Sequence, residues 1–391
     1  MLDILCLVVT TPLLLVTSVF IVECWGGIVP ARADGADFPI ADPTDVVVLM
    51  PAHDEANGIA EVLTATRAGM PAGMRLLVIA DNCTDDTASI VRSAGVEVIE
   101  RHDTDRRGKG FALDFGRQAL SFAPPACVVV VDADTVPQPG ALKRLAARAI
   151  SAGRPVQGAY TIEVAPADGS VARFSAAAFY VKNAVRQLGA ARIGAPAVLT
   201  GSGMAFPWPV FADLPLATGH VAEDLMLGIE SSLNDRAPLF EAKAVVLGTT
   251  SSDKGTAVQR RRWESGFFQV ASDSAGGLLR RALTHGPLMS GWLGLHLLTP
   301  PLIPLLALDT ALMLVLATVW LLIGVGGAAL LLVGIATSMA VGGVILALAA
   351  HRRLGLLAGW HEIPKYVLWK LALSLAALIR REKTWIRTDR N

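Results

Sequence analysis

Cys127-Val128-Val129-Val130-Val131 runs straight into Asp132-Ala133-Asp134. An unbroken valine-rich run with no polar alternation reads as a strand buried on both faces, and the acids follow where that strand ends. Two earlier stretches repeat the pattern. Val46 to Met50 leads into Pro51-Ala52-His53-Asp54-Glu55, and Leu76 to Ala80 leads into Asp81-Asn82-Cys83-Thr84-Asp85. Helical patterns follow each strand, so the expected fold class is α/β, a mainly parallel sheet with both faces covered. Ligands of such sheets sit beyond the strand carboxyl ends, where these acidic residues collect.

Outward from these strands, residues 32–284 read as one globular domain of short apolar runs, charged helical patterns and turns. Apolar segments flank it. Ile4 to Val22 approaches the roughly 20 residues of a spanning helix, so residues 1–31 are expected to be a transmembrane anchor. Ala31-Arg32-Ala33 resembles a signal-cleavage site, but Met1-Leu2-Asp3 lacks the basic residues of a secretory signal and the apolar run is too long for one. Residues 285–391 are read as a membrane region: a surface segment from Pro287 to Leu298, spans at about 302–323 and 328–350, and an amphipathic helix from Ile363 to Ile379 lying in the interface. That last segment carries Lys365 and Lys370 and is followed by Arg380, Arg381 and Lys383. Arg280 and Arg281 precede the first C-terminal span, and His351, Arg352 and Arg353 follow the second. Positive charge at both polar ends places them, and the large domain, on the cytoplasmic side of the inner (cell) membrane.

Composition agrees with this division and excludes several classes. The 391 residues are 53% hydrophobic and only 17% charged, with a mean hydropathy of +0.50, which fits neither a disordered nor a purely soluble chain. Lys and Arg total 34, as do Asp and Glu. No global basic field exists to hold nucleic acid, so any phosphate recognition must be local. Cys6, Cys24, Cys83 and Cys127 show neither a disulfide framework nor zinc-ligand spacing.

The acids carry the expected chemistry. Asp132 and Asp134, two apart at a strand end, are oxygen ligands suited to Mg2+ or Mn2+ bound together with a diphosphate, although Asp is also common in turns that close strands. Glu223-Asp224 opens a helical pattern through Leu233. Acids there complement the helix dipole; beside a bound sugar donor, Asp224 could instead serve as general base, with Glu223 orienting it. His220 reads more readily as a capping or solvated side chain than as a metal ligand. In Gln259-Arg260-Arg261-Arg262-Trp263, arginines can grip phosphate oxygens and Trp can stack on a sugar ring; the alternative is a basic belt at the lipid surface.

Taken in order, Asp81, Asp132-Ala133-Asp134, Glu223-Asp224 and Gln259-x-x-Arg262-Trp263 resemble the D, DxD, ED and QxxRW series of the membrane-bound family 2 glycosyltransferases, among them cellulose, chitin and hyaluronan synthases and the rhizobial chitooligosaccharide synthases. Pro51 to Glu55 resembles that family's opening strand-loop, Arg107-Gly108-Lys109-Gly110 its donor-site loop, and Gly201-Ser202-Gly203-Met204-Ala205-Phe206 its glycine-rich segment near the acceptor. The resemblance covers about residues 44 to 270. It implies a GT-A fold and sugar transfer from a nucleotide-diphospho-sugar, UDP the expected nucleotide, with inversion at the anomeric carbon. It further implies that Asp81 and Glu55 meet the nucleoside and Lys109 the donor. Asp134 would hold Mg2+ or Mn2+, with Asp132 close to the metal or the ribose, and Asp224 would be the base. Gly201 and Ser202 would lie near the acceptor, and Gln259, Arg262 and Trp263 would border the diphosphate and acceptor sugar.

Known polymer-secreting members have more membrane helices than the three read here. The acceptor is therefore expected to be a growing glycan or a lipid: either the chain joins others, as a homo-oligomer or with secretion-complex partners, or the product is short or lipid-linked. An inactive scaffold would have lost Asp134 or Asp224, and both are present. A transporter would leave the polar domain unexplained, and its spans hold one charged residue, Asp309.

Overall fold

The computed structural model describes residues 1–31, 44–165, 168–249, 253–284 and 288–379, the side chains of 253–258 aside. Expectations that rest on Arg32, Ala33, Pro287, Arg380, Arg381 and Lys383 lie outside the described residues. The chain opens with α1 (Leu2–Gly26), then β1 (Val46–Ala52), α2 (Ile59–Ala68), β2 (Met74–Asp81), α3 (Thr87–Ser93), β3 (Glu97–Arg101), α4 (Lys109–Leu120), β4 (Cys127–Val130), β5 (Thr135–Pro137), α5 (Ala141–Ala152) and β6 (Val156–Glu163). There follow α6 (Ser170–Tyr180), a π-helical stretch (Val181–Arg186), α7 (Gln187–Arg192), β7 (Met204–Pro207), α8 (Trp208–Asp213), α9 (Glu223–Leu233), β8 (Leu239–Thr249) and α10 (Asp253–Thr284). The last helices are α11 (Leu288–Leu298), α12 (Leu302–Ile323), α13 (Gly327–Ala350) and α14 (Ile363–Ile379).

One sheet carries the strands in the order β3-β2-β1-β4-β7-β6-β8-β5. β3, β2, β1 and β4 are parallel, as are β6 and β8, while β7 and β5 run against their neighbours. The expected mainly parallel α/β sheet is therefore present. Successive side chains of a strand point to opposite faces, and β1 shows the result. Val46, Val48 and Met50 join Ile59 and Leu63 of α2 and Leu142 and Leu145 of α5. Val47 and Leu49 join Leu113 and Leu120 of α4 with Phe206 and Phe211. Each such side chain contributes about 1.5–3 kcal/mol by leaving water. Because β1, β2 and β4 share a direction, the residues after all three emerge along one edge.

The chain forms two compact units. The sheet unit comprises Ala31–Ala167 and Pro196–Phe267; the helical unit comprises Met1–Pro30, Asp168–Ala195 and Phe268–Ile379. α6, α7 and the second half of α10 pack with the apolar helices. Lys182 and Arg186 make the α6–α7 stretch look soluble in sequence. In the fold Arg186 is buried, its Nε donating to Glu23 Oε2 of α1 at 2.7 Å. Gly189 and Gly26 let the two backbones touch: a Cβ on Gly189 would lie 1.8 Å from the Glu23 carbonyl oxygen.

Among the described residues, α1, α12 and α13 are long and apolar enough to cross a membrane. Leu314, Val315, Leu321 and Leu322 of α12 and Leu331 and Ile335 of α13 are exposed, as lipid-facing side chains are. The single acid of α12, Asp309, is buried and accepts a hydrogen bond from Thr17 of α1 at 3.1 Å, which matches a role between helices.

Candidate active site

The sequence folds the chemistry-bearing loops of the sheet unit against one another. After β4, Asp132 turns the chain: its carbonyl accepts from Thr135 N at 3.1 Å and Thr135 Oγ1 at 3.0 Å. Its own N–H donates to Ser202 Oγ at 3.1 Å, and that oxygen lies 2.6 Å from Thr135 Oγ1. Ser202, expected near the acceptor, is fully buried and braces the Asp132 turn from behind.

Lys109, the first residue of α4, places its ammonium against Asp132 Oδ1 and donates to the Gly201 carbonyl at 2.6 Å. Gly201 has φ +93°, and a Cβ there would lie 3.3 Å from Asp224 Oδ2, 3.6 Å from Lys109 Nζ and 3.7 Å from Asp132 Oδ2. Asp224, Lys109 and Asp132, from three separate segments, thus converge on one glycine. The loop before α4 lies against the loop before α9. A Cβ on Gly110 would be 2.5 Å from the carbonyl oxygens of Leu216 and Thr218, and Gly108 faces the Gly219 Cα.

Glu223 and Asp224 form the first turn of α9, where the helix dipole favours negative charge. Asp224 Oδ1 accepts from Leu225 N at 2.8 Å, while Glu223 is buried. His220 Nδ1 accepts from Ala222 N at 3.1 Å, just before α9. The electrostatics follow from crowding carboxylates around one ammonium. Burial alone would lower the Lys109 ammonium, but Asp132, Glu223 and Asp224 hold it above its ordinary value. Burial pushes Asp132 up against the pull of Lys109, and Asp134 and Asp224 add to the rise. Glu223, buried beside Asp224, is pushed up to about 8 despite Lys109.

Glu55 and Asp81 stand at the ends of β1 and β2, in loops tied to each other. His53 Nδ1 lies 2.7 Å from the Asp81 carbonyl, Glu55 N donates to Thr87 Oγ1 at 2.8 Å, and Thr84 N donates to Asp54 Oδ1 at 2.6 Å. Asp81 Oδ1 accepts from Arg101 Nη1 at 2.6 Å and from Asn82 Nδ2 at 3.1 Å. Burial still raises its carboxyl above the ordinary value, with Arg101 opposing. Among the described residues, Asp54, Cys83 and Asp85 also bring three possible ligand atoms within 4.8 Å of one another. Their oxygens close loops: Asp54 holds Thr84, and Asp85 accepts from Thr87 N and Ala56 N at 3.0 and 3.1 Å. This group is separate from the Asp132 and Asp134 pair singled out in the sequence.

Gln259, Arg262, Trp263 and Gly266 recur at helical spacing on α10 and share one face. Gly266 on that face meets Ala222, where a Cβ would come within 3.0 Å of the Ala222 Cβ, so this face adjoins the start of α9. The Arg260 guanidinium lies 4.8 Å from the centre of the Trp263 ring.

Three supporting residues escaped the sequence reading. Thr135 closes the Asp132 turn, Arg101 holds Asp81, and Gln157 of β6 is bonded to the 200–203 loop. None belongs to a motif; Gln157 is revealed only by pairing 45 residues away and Arg101, at the end of a strand, by pairing 20 residues away, while Thr135 lies three residues from the turn that it closes.

Known proteins are similar to this chain. A family model described as "Glycosyltransferase like family 2" matches residues 43–266. Uncharacterized glycosyltransferases of Mycobacterium tuberculosis and Mycobacterium bovis are 37% identical to this chain over 102 residues, 26% of it and 42% of each relative. The match thus spans less than half the length of those relatives. The mannosyltransferase from Pyrobaculum calidifontis, solved with GDP-Man and Mn2+, is similar over 98% of this chain and 100% of its own, with a TM-score of 0.56 at 20% identity. That likeness is one of fold. Glucosyl-3-phosphoglycerate synthase from Mycobacterium tuberculosis, with Mn2+, UDP and glucosyl-3-phosphoglycerate, covers 62% of this chain and 87% of its own at a TM-score of 0.43 and 20% identity.

Proposed function

The chain belongs to the glycosyltransferase-like family 2, with a GT-A-like α/β fold, and from that premise we propose that it transfers a sugar from a nucleotide-diphospho-sugar to an acceptor hydroxyl at the cytoplasmic face of a membrane, with inversion. The observation that carries this reading is the convergence of Asp224 Oδ2, Lys109 Nζ and Asp132 Oδ2 on Gly201. Inverting transfer needs charge compensation for a leaving diphosphate and a base on the opposite side of the reacting carbon. An ammonium and a carboxylate from different segments face one small space here.

Asp224 is the base. It takes the proton of the acceptor hydroxyl as that oxygen bonds to the anomeric carbon and the bond to the diphosphate breaks. Lys109 faces the donor phosphates, held there by Asp132 and the Gly201 carbonyl. Asp81 and Glu55 border the nucleoside; Gln259, Arg262 and Trp263 border the acceptor sugar and diphosphate on the α10 face beside α9. Gly201, without a side chain, leaves the space between Asp224 and Lys109 open.

The donor set suits a divalent cation. Asp132, Glu223 and Asp224 act on the ammonium of Lys109, and Asp134 acts on Asp132; burial first, and the neighbouring carboxylates after it, raise Glu223 and Asp132. Asp134 and Asp132 are hard oxygen ligands that would hold Mg2+ or Mn2+, which supplies charge compensation to the leaving diphosphate when bound. The similar mannosyltransferase from Pyrobaculum calidifontis was solved with GDP-Man and Mn2+, which supports a donor of this class.

The acceptor is a growing glycan at the membrane face. A lipid acceptor that receives a single sugar is the second reading, favoured by the three candidate spans among the described residues, few for enclosing a polymer channel. Incubating membranes that contain the full chain with labelled nucleotide sugars, then separating lipid-extractable from polymeric product, tests both. A polymer from one donor supports the first reading, and a lipid-extractable product supports the second. Transfer from no donor overturns the enzyme reading and favours a scaffold.

A further inference from the structure

The geometry points to Gln157 as a positioning residue for the donor-side machinery: its side-chain amide fixes the 200–203 loop from behind, and that loop holds Lys109 in front. Gln157 is fully buried in β6. Its Nε2 donates to the Ser202 and Gly158 carbonyls, each at 2.9 Å, and its Oε1 accepts from Thr200 N, also at 2.9 Å. Both amide ends are thus used, and exchanging the oxygen and nitrogen would set donor against donor and acceptor against acceptor. One side chain therefore ties down the backbone on both sides of Gly201.

The peptide between those two bonds carries the functional contact. Gly201 adopts φ +93° and Gly203 φ +70°, backbone conformations that are easily exchanged for others unless the surroundings fix them. The Gly201 carbonyl accepts the Lys109 ammonium at 2.6 Å. Ser202, the next residue, accepts from Asp132 N through its hydroxyl. Further pairing holds the far end of the loop, where Gly203 N donates to Val130 O at 3.0 Å and Gly158 N donates to Gly203 O at 2.8 Å. Among the described residues, Gln157 alone is bonded to both Thr200 and Ser202. Without its amide, the Gly201 carbonyl can rotate away from Lys109, and the ammonium loses the second of its two holders. Gln157 touches no substrate itself; it acts through Gly201.

This inference rests on the reading of Lys109 as a donor contact, and the test separates the two. Binding of UDP and of GDP, each with MnCl2, is measured on the purified full-length protein in four forms: wild type, Q157M, K109A and the double variant. Q157M keeps the side-chain volume and removes the amide. It is expected to weaken binding of whichever nucleotide the wild type takes by about tenfold, and by less than about twofold in the K109A background, because coupled residues do not add. An equal factor in both backgrounds is the signature of a merely structural residue and overturns the proposal, as does unchanged binding in Q157M. If wild type binds neither nucleotide, or K109A binds like wild type, the donor-site reading itself fails. Should Q157M not fold, by thermal unfolding against wild type, Q157E carries the same cycle, since it keeps the acceptor for Thr200 N and loses the donor to Ser202 O.

Discussion

Asp224 and Asp134 differ in what their loss should do. Asp224→Asn keeps the shape and the bond from Leu225 N but cannot take a proton, so transfer should fall by about 100- to 10,000-fold while nucleotide binding stays within about twofold. Asp134→Ala should abolish metal-dependent binding of the nucleotide. Titrating UDP and GDP with Mn2+ against both variants checks this; equal binding loss in both would contradict the division of roles. Glu223 provides a pH test. Its carboxyl is pushed up to about 8 by burial and by Asp224, from an ordinary 4.5 in the unfolded chain. The folded protein therefore holds a proton that the unfolded chain has released, and that contribution to stability is full below about pH 4.5 and lost as pH rises through about 8. Without metal, the thermal midpoint should drop between pH 5 and 8, and Glu223→Gln should flatten the drop; an unchanged slope in that variant would refute the assignment. At this scale the places of Asp81 and Asp132 at strand ends and of Glu223 and Asp224 at a helix start were legible because strand ends and paired acids leave a local signature, whereas Lys109 came only from the resemblance of its glycine loop. Gln157 and Ser202 were not readable as braces, because their partners lie 45 and 70 residues away.

Among the elements, close approach rather than propensity decides which glycines matter. Gly110 sits in the first turn of α4 with the Leu216 and Thr218 carbonyls over it. Gly110→Ala should push the 216–219 segment outward, costing about 1–3 kcal/mol and lowering transfer with it. Gly276 in α10 meets nothing within 4 Å and has an ordinary helical backbone, so Gly276→Ala should leave transfer unchanged and raise stability by up to about 1 kcal/mol. Thermal unfolding and transfer rates of the two variants distinguish a positional effect from a general one; equal destabilisation would contradict the packing described. The strands β1, β2 and β4 were legible because burial on both sides writes a continuous apolar run. The antiparallel entry of β7 and the edge pairing of β5 with β8 were not, since four- and three-residue strands carry no period of their own.

Across the whole molecule, charge is buried among the apolar helices. Glu23 of α1 is fully buried, bonded by Arg186, by Trp292 Nε1 at 3.0 Å, and by His296 Nδ1 at 2.8 Å. Arg186→Met would leave an uncompensated acid, which costs about 3–5 kcal/mol in buried ion pairs. The prediction is a large loss of folded protein in detergent, partly restored by adding Glu23→Gln; no restoration would show that the two do not act as a pair. From sequence, Arg186 read as part of the polar domain because nothing local shows that its partner is an acid at the end of α1. The spans α1, α12 and α13, by contrast, were legible to within a few residues, because twenty apolar residues in a row leave few other structures.

Transfer and binding measured side by side test the central claim most directly, that Asp224 faces a nucleotide-sugar site built on Lys109, Asp132 and Gly201. Membranes bearing wild type or Asp224→Asn would be given a panel of labelled UDP- and GDP-sugars with Mn2+ or Mg2+, and nucleotide binding would be measured on the purified proteins in parallel. The account predicts transfer from a single donor by wild type and its near-complete loss in Asp224→Asn, with nucleotide binding retained. Transfer by the variant at the wild-type rate, or no transfer by wild type from any donor, would contradict it.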